Sequence, residues 1–145
     1  MKREQRSRSA LDFMILTLAL LGFAINLFLV ARRFTDPSAG IAGCGGGSCE
    51  EIMASRWSVV FGVPVPVLGM LAYAGLMASL TEWGRRAHEP MLGAISGAAM
   101  WFFFVQSVLL ERYCACCNAA HAIGASVLRF SLIRQRCVGS GNILL

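Results

Sequence analysis

Met91 to Leu110 reads MLGAISGAAMWFFFVQSVLL, a run without one charged side chain. A helix rises about 1.5 Å per residue, so about 20 apolar residues cross the roughly 30 Å of hydrocarbon in a bilayer. Three more apolar runs flank this one: Leu11 to Ala31, Pro64 to Leu80 and Tyr113 to Ile133. The run from Pro64 is the shortest. Its Pro64 and Pro66 suit a first helical turn, where a missing N–H costs nothing. Over all 145 residues, 57% are hydrophobic, 14% are charged and the mean hydropathy is +0.63. A soluble domain carries about a quarter charged residues. The pattern predicts an all-α integral membrane protein, a four-helix bundle forming one domain over residues 1–145. Its helices are expected at about 11–31, 64–82, 91–110 and 113–133, with a long loop at 32–63. Gly93 and Gly97 form a small-xxx-small pair, read as a helix-packing device.

The first run follows a basic leader, Lys2, Arg3, Arg6 and Arg8. Its apolar stretch exceeds the 7–15 residues of a signal-peptide core, and no small-x-small cleavage site precedes Arg32. An uncleaved anchor is expected. The net charge of +5 does not point to nucleic acid, because the basic residues cluster beside apolar runs. They read as topology signals. With four crossings, the N-terminal tail, the second connection (Arg85, Arg86) and the C-terminal end (Arg129, Arg134, Arg136) share one side, with nine of the 13 basic residues. The other side holds Arg32, Arg33, Arg56 and Arg112. The excess marks the cytoplasmic face. Both termini are therefore expected in the cytoplasm, in a plasma (inner) membrane, with the 32–63 loop and the start of the last helix outside.

Five of the six cysteines, Cys44, Cys49, Cys114, Cys116 and Cys117, then fall on the outer face, and Cys137 falls inside as a reduced thiol. Disulfides persist in oxidising compartments such as the periplasm. Topology and redox compartment, read from separate features, agree.

Cys44 and Cys49 lie in a glycine-rich stretch, Gly40-Ile-Ala-Gly-Cys-Gly-Gly-Gly-Ser-Cys49. Such a stretch leaves a cysteine mobile enough to meet successive partners. After it, Cys49, Ile52, Met53, Trp57, Val60 and Phe61 recur at helical spacing. Ser48 and Glu51 fit a capping box. A short amphipathic helix in the interface is expected, with Trp57 as its anchor and Cys49 in its first turn, where the helix N-terminus favours a thiolate. The bland alternative is a passive disulfide clipping an outer loop, which would constrain little chain.

Cys114 and Cys117 make a Cys-x-x-Cys at the start of the last helix, where i and i+3 share a face and the sulfurs can pair. Cys116 points about 100° away from Cys117 and is expected to stand apart from the pair, packing as a small apolar residue. His121 lies one turn after Cys117. A polar residue inside a membrane segment is a functional candidate, as a quinone donor or a tuner of the thiolate, against the plainer reading of a histidine satisfied by a neighbouring helix. Gln106 has the same two readings, with packing favoured.

The segment Cys44…Cys49-Glu50-Glu51-Ile52-Met53-Ala54-Ser55-Arg56-Trp57 resembles the loop of the vitamin K epoxide reductase family, which has two loop cysteines followed by a Ser-Arg-Trp-like element. Gly69-Met-Leu-Ala-Tyr73 resembles the family's Gly-x-x-x-Tyr, and Cys114 to Cys117 its last-helix Cys-x-x-Cys. The resemblance covers about residues 11 to 133. It implies a bundle around a quinone (ubiquinone or menaquinone), capped by the loop helix. It also implies catalytic roles for Cys44, Cys49, Cys114 and Cys117, with Met53, Ser55, Trp57, Val65 and His121 shaping the quinone site. A reduced thioredoxin-fold partner of the DsbA-like type would attack the Cys44–Cys49 disulfide at Cys44. Cys49 would then attack Cys114, and Cys117 would deliver the electrons. Val65 and His121 stand where animal members have an asparagine and a tyrosine, which favours a plain respiratory quinone over vitamin K epoxide. Some members carry a fused thioredoxin-like domain. The 145 residues leave no room for one, so a separate partner protein is expected. Rival readings are a structural cysteine-rich membrane protein and a metal site built from Cys44, Cys49, Cys114 and Cys117; no metal is expected.

Overall fold

Leucine, alanine and phenylalanine dominate the first apolar run, and no proline interrupts it, so the helix continues through its basic flank as α1, Lys2–Phe34. The computed structural model describes residues 2–34, 47–81 and 85–139. The short helix α2, Gly47–Ala54, is followed by a 3-10 turn at Arg56–Ser58. A two-stranded hairpin comes next, β1 at Val59–Val60 and β2 at Val63–Pro64, in antiparallel register with Val60 opposite Val63. Pro64 caps α3, Val65–Ser79, and Pro66 sits in its first turn. A 3-10 turn at Arg85–Ala87 leads into α4, His88–Phe104, which closes with a turn of π-helix at Val105–Leu109. The chain ends with α5, Ala115–Gly139.

Three stretches are long and apolar enough to cross a membrane: Ser9–Phe34, His88–Leu109 and Ala115–Arg136. The fourth, α3, is apolar but has 15 residues, which span about 22 Å. Its length is set at both ends. Prolines begin it, and the hydroxyls of Ser79 and Thr81 donate to the carbonyls of Leu76 and Ala78, closing the last turn.

The four long helices form a ring in which α1 packs on α3 and α5, and α4 packs on the same two. Ile15, Ala19, Tyr73, Leu76, Leu92, Ile95 and Val127 fill the centre. Phe13, Leu71, Met100 and Phe103 point outward, as the lipid face of a bundle requires. Small residues bring the helices close at Gly22 against the Tyr73 ring, Gly75 against Met91 and Gly124 against Ile95. The Tyr73 hydroxyl donates to the Ala120 carbonyl at 3.1 Å, so one side chain joins α3, α1 and α5. Gly93 and Gly97 are not packing contacts. A side chain built on either meets nothing within 4 Å, because that face of α4 is turned away from its neighbours.

One end of the ring carries polar clamps. Arg134 pairs with Asp12 at 2.6 Å, Ser79 and His88 lie 2.9 Å apart, and Gln135 donates to Glu89. These ties link α1 to α5, α3 to α4 and α4 to α5. The other end carries Cys49, Cys114, Cys116 and Cys117.

Candidate active site

The π turn that closes α4 prepares the site. A π turn adds a residue to the helical repeat and redirects the side chains it contains. Here it drives Gln106 inward, to 1% exposure. The chain then reverses through Glu111, which adopts a left-handed φ of 49°. Two hydrogen bonds to Gln106 fix the reversal: Arg112 N–H donates to its backbone carbonyl at 3.0 Å, and Cys114 N–H donates to its side-chain oxygen at 3.1 Å. Gln106 is therefore more than packing. It satisfies a buried backbone donor that has no helical partner.

Cys114 stands one residue before α5 and acts as its cap. Its carbonyl accepts the first helical bond, from Asn118 N–H at 2.9 Å, and its sulfur accepts from Cys117 N–H at 3.3 Å. A side-chain acceptor that meets the third helical N–H is the usual capping geometry, here made by sulfur. Cys114 is fully buried.

Cys49, the third residue of α2, reaches Cys114 from the other side. The two form a disulfide with their Cα atoms 4.6 Å apart, across 65 residues of sequence. Ile52 is buried one turn on, and Leu110, Cys116 and Cys117 pack around this cluster. Cys117 is a free, half-buried thiol. Cys116 is bonded to neither Cys114 nor Cys117, as expected, but it takes part in a disulfide rather than packing as a plain apolar residue. Cys44 lies outside the described residues.

Two arginines hold α2 in place. Arg33, in the last turn of α1, donates to the Met53 carbonyl and, at 3.3 Å, to the Ser58 hydroxyl. That hydroxyl lies 2.6 Å from the Met53 carbonyl and 2.8 Å from that of Ser55, and Ser55 Oγ donates to the Ile52 carbonyl at 2.7 Å. Beside the disulfide, Arg112 pairs with Glu51 at 3.0 Å. The expected capping box is absent, because Ser48 lies inside α2 and Glu51 is turned to Arg112. The expected helical stripe also stops early. α2 ends at Ala54, Trp57 sits in the 3-10 turn, and Val60 and Phe61 belong to the hairpin.

Beneath the cysteines lies a cavity of about 60 Å³ whose walls include Met53, Ser55, Trp57, Val65, Phe102, Cys117 and His121. It adjoins a groove of about 430 Å³ along α3 and α4, and the two share Asn26, Val65, Phe102, Ala120 and His121. Both are mainly apolar, and the groove is within the usual size range for ligand sites. His121 stacks on Phe102 with ring centres 6.0 Å apart and planes 3° from parallel. Its Nε2 is buried without a hydrogen-bond partner among the described residues. Trp57 meets Trp101 edge-on at 5.9 Å and carries the Arg56 guanidinium 4.8 Å above its ring. Three residues of the site were not singled out from sequence: Asn26, Arg33 and Phe102. Asn26 carried a usable signal, an amide within an apolar run, the same signal that flags His121.

The chain matches the model of the vitamin K epoxide reductase family over residues 13–132. It belongs to that family. Over 101 residues it is also 32% identical to the thiol-disulfide oxidoreductase LTO1 of Arabidopsis thaliana, a stretch that covers 61% of this chain and 26% of that relative. The chain thus matches about a quarter of that plant protein's length. As a vitamin K epoxide reductase family member with three span-length apolar helices, it is a membrane protein. The metal reading finds no support in the site's chemistry. Zinc takes thiolates, and the sulfurs of Cys49 and Cys114 are spent on each other.

Proposed function

We propose that this vitamin K epoxide reductase family member oxidises a thioredoxin-fold protein outside the cytoplasm and passes the electrons through two cysteine pairs to a membrane quinone. The observation that carries the reading is the Cys49–Cys114 disulfide with the Cys117 thiol beside it. That set of bonds is the one a relay holds midway between its two pairs.

The steps are thiolate–disulfide exchanges. A thiolate of the partner attacks Cys44 in a Cys44–Cys49 disulfide and forms a mixed disulfide, and Cys49 leaves as thiolate. The partner's second thiol releases Cys44 and leaves the partner oxidised. Cys49 then attacks Cys114 of a Cys114–Cys117 disulfide, which gives the Cys49–Cys114 bridge and frees Cys117. Cys44 closes on Cys49 and frees Cys114. A bound quinone supplies the terminal oxidation, taking up the two electrons and two protons released as Cys114 and Cys117 re-form their disulfide. The residues fit such a group. Apolar walls at Val65 and Phe102 suit its ring, and the unpartnered His121 nitrogen suits an oxygen.

The side assignments follow from charge. Nine of the 13 basic residues fall on one side of a four-crossing topology, which favours cytoplasmic termini and a site on the outer face of the plasma membrane. In this reading α3 completes a four-helix membrane bundle, and α2 with the hairpin lies at the outer interface. The thioredoxin-fold partner in this reading is of the DsbA-like type.

Trapping tests the reading. A DsbA-type probe that keeps only its first active-site cysteine can attack the Cys44–Cys49 disulfide but cannot release Cys44, so a mixed disulfide between the probe and Cys44 should accumulate and be identified by mass spectrometry. Recovery of the probe linked to no cysteine of this chain, while the chain turns over with an intact DsbA-type protein, would remove the partner step.

A further inference from the structure

Asn26 is the one amide within the apolar stretch of α1, and it is 7% exposed. It lines both the small cavity beneath the cysteines and the adjoining groove. Its Nδ2 donates to the Gly22 carbonyl, one turn back, at 2.8 Å. A carbonyl only accepts, so the nitrogen end of the amide must face Gly22 and the oxygen end must face away. The oxygen is turned toward α3, where Gly69 leaves it room. A side chain on Gly69 would overlap the carboxamide. An amide carries two N–H donors and two lone pairs, and a buried amide that leaves them unused is costly. The Gly22 bond uses one donor.

We propose that Asn26 hydrogen-bonds the headgroup of the quinone, meeting it from α1 while His121 meets it from α5. This rests on the quinone reading above and adds a binding residue to it. The chemistry suits both redox states. Quinone oxygens only accept, whereas quinol hydroxyls also donate. An amide offers an N–H to the first and an oxygen to the second, and a neutral imidazole does the same through its two nitrogens. Two groups of this kind can hold the ring before and after reduction without changing their own protonation.

Isothermal titration calorimetry on the full chain in nanodiscs tests the claim with two probes, menadione and 2-methylnaphthalene, which share a ring skeleton but not the oxygens. Asn26→Leu should weaken menadione binding about tenfold, the size of one good hydrogen bond, and leave methylnaphthalene within about twofold. Gly69→Ala, which keeps the amide but crowds it, should move menadione in the same direction. Equal losses for both probes would mean that the substitution only deforms the cavity, and no loss for either would mean that the amide does not touch the ring; each result overturns the proposal. If wild type binds methylnaphthalene as tightly as menadione, the quinone reading itself fails, and a wild type selective for menadione separates the two failures.

Discussion

At the scale of single residues, the site depends on Gln106. Cys114 is buried and begins a helix, so its N–H has no carbonyl to meet, and the Gln106 side chain supplies the acceptor. Leaving a buried donor unsatisfied costs about 1–3 kcal/mol. Gln106→Leu should lower stability by about that much in a thermal melt of the detergent-solubilised protein, and slow the capture of Cys114 by Cys49. Gln106→Glu keeps an acceptor oxygen and should retain more of both. Cys49, Cys114 and Cys117, which the structure brings together, stood out in the sequence by their spacing, and His121, which lines the cavity, by its polarity in an apolar run. Gln106 was readable as a buried polar residue but not as the acceptor for Cys114. Its direction depends on a π turn, and hydrophobic periodicity does not register an inserted residue. Cys116 was read only in part: helical angle keeps it off Cys117, but the same angle carries no signal of the disulfide it makes.

At the scale of elements, α2 is the piece that brings Cys49 to Cys114, and two contacts of unequal strength hold it. The Glu51–Arg112 pair is 58% exposed on both sides, and such surface pairs contribute about 0–1 kcal/mol. Arg33 is half-buried and donates to a backbone carbonyl and a hydroxyl at the end of α2. Arg33→Met should therefore reduce the fraction of protein with Cys49 bonded to Cys114, measured by non-reducing peptide mapping, whereas Glu51→Gln should leave it nearly unchanged. The hairpin that follows is strained. Phe61 and Gly62 both adopt left-handed φ, 51° and 82°, as a two-residue turn of this register requires. Glycine accepts this freely, and phenylalanine does not. Phe61 is fully exposed, so it gains no packing in return. Phe61→Asn should raise stability in detergent by about 1 kcal/mol, read as an upward shift of the melting midpoint. The helix carrying Cys49, Ile52 and Met53 was legible, but its end at Ala54, which puts Trp57, Val60 and Phe61 outside it, was not. The run carries neither glycine nor proline until Gly62, and tertiary contacts to Arg33 end the helix instead.

At the scale of the whole molecule, the apolar runs and their basic flanks carried most of the fold. Three helices reach spanning length where the runs predict them. The fourth, α3, is shorter, because the hairpin and prolines before it and the hydroxyl-closed turn after it set its ends. The polar clamps at Asp12–Arg134 and Ser79–His88 were hidden, since each joins residues far apart in sequence or across a turn. If the basic flanks are cytoplasmic, a membrane-impermeant maleimide should label Cys137 only after cells are permeabilised. Labelling in intact cells would invert the topology and place the relay in a reducing compartment.

Cys44→Ala tests the central claim most directly. Cys49 can still attack a Cys114–Cys117 disulfide in this variant, but no loop thiol remains to close on Cys49 and release Cys114. Non-reducing peptide mass spectrometry of this variant, taken from membranes with thiols blocked, should find the Cys49 and Cys114 peptides joined as the dominant species. Cys114 recovered as a free thiol, with Cys49 never bonded to it, would contradict the relay.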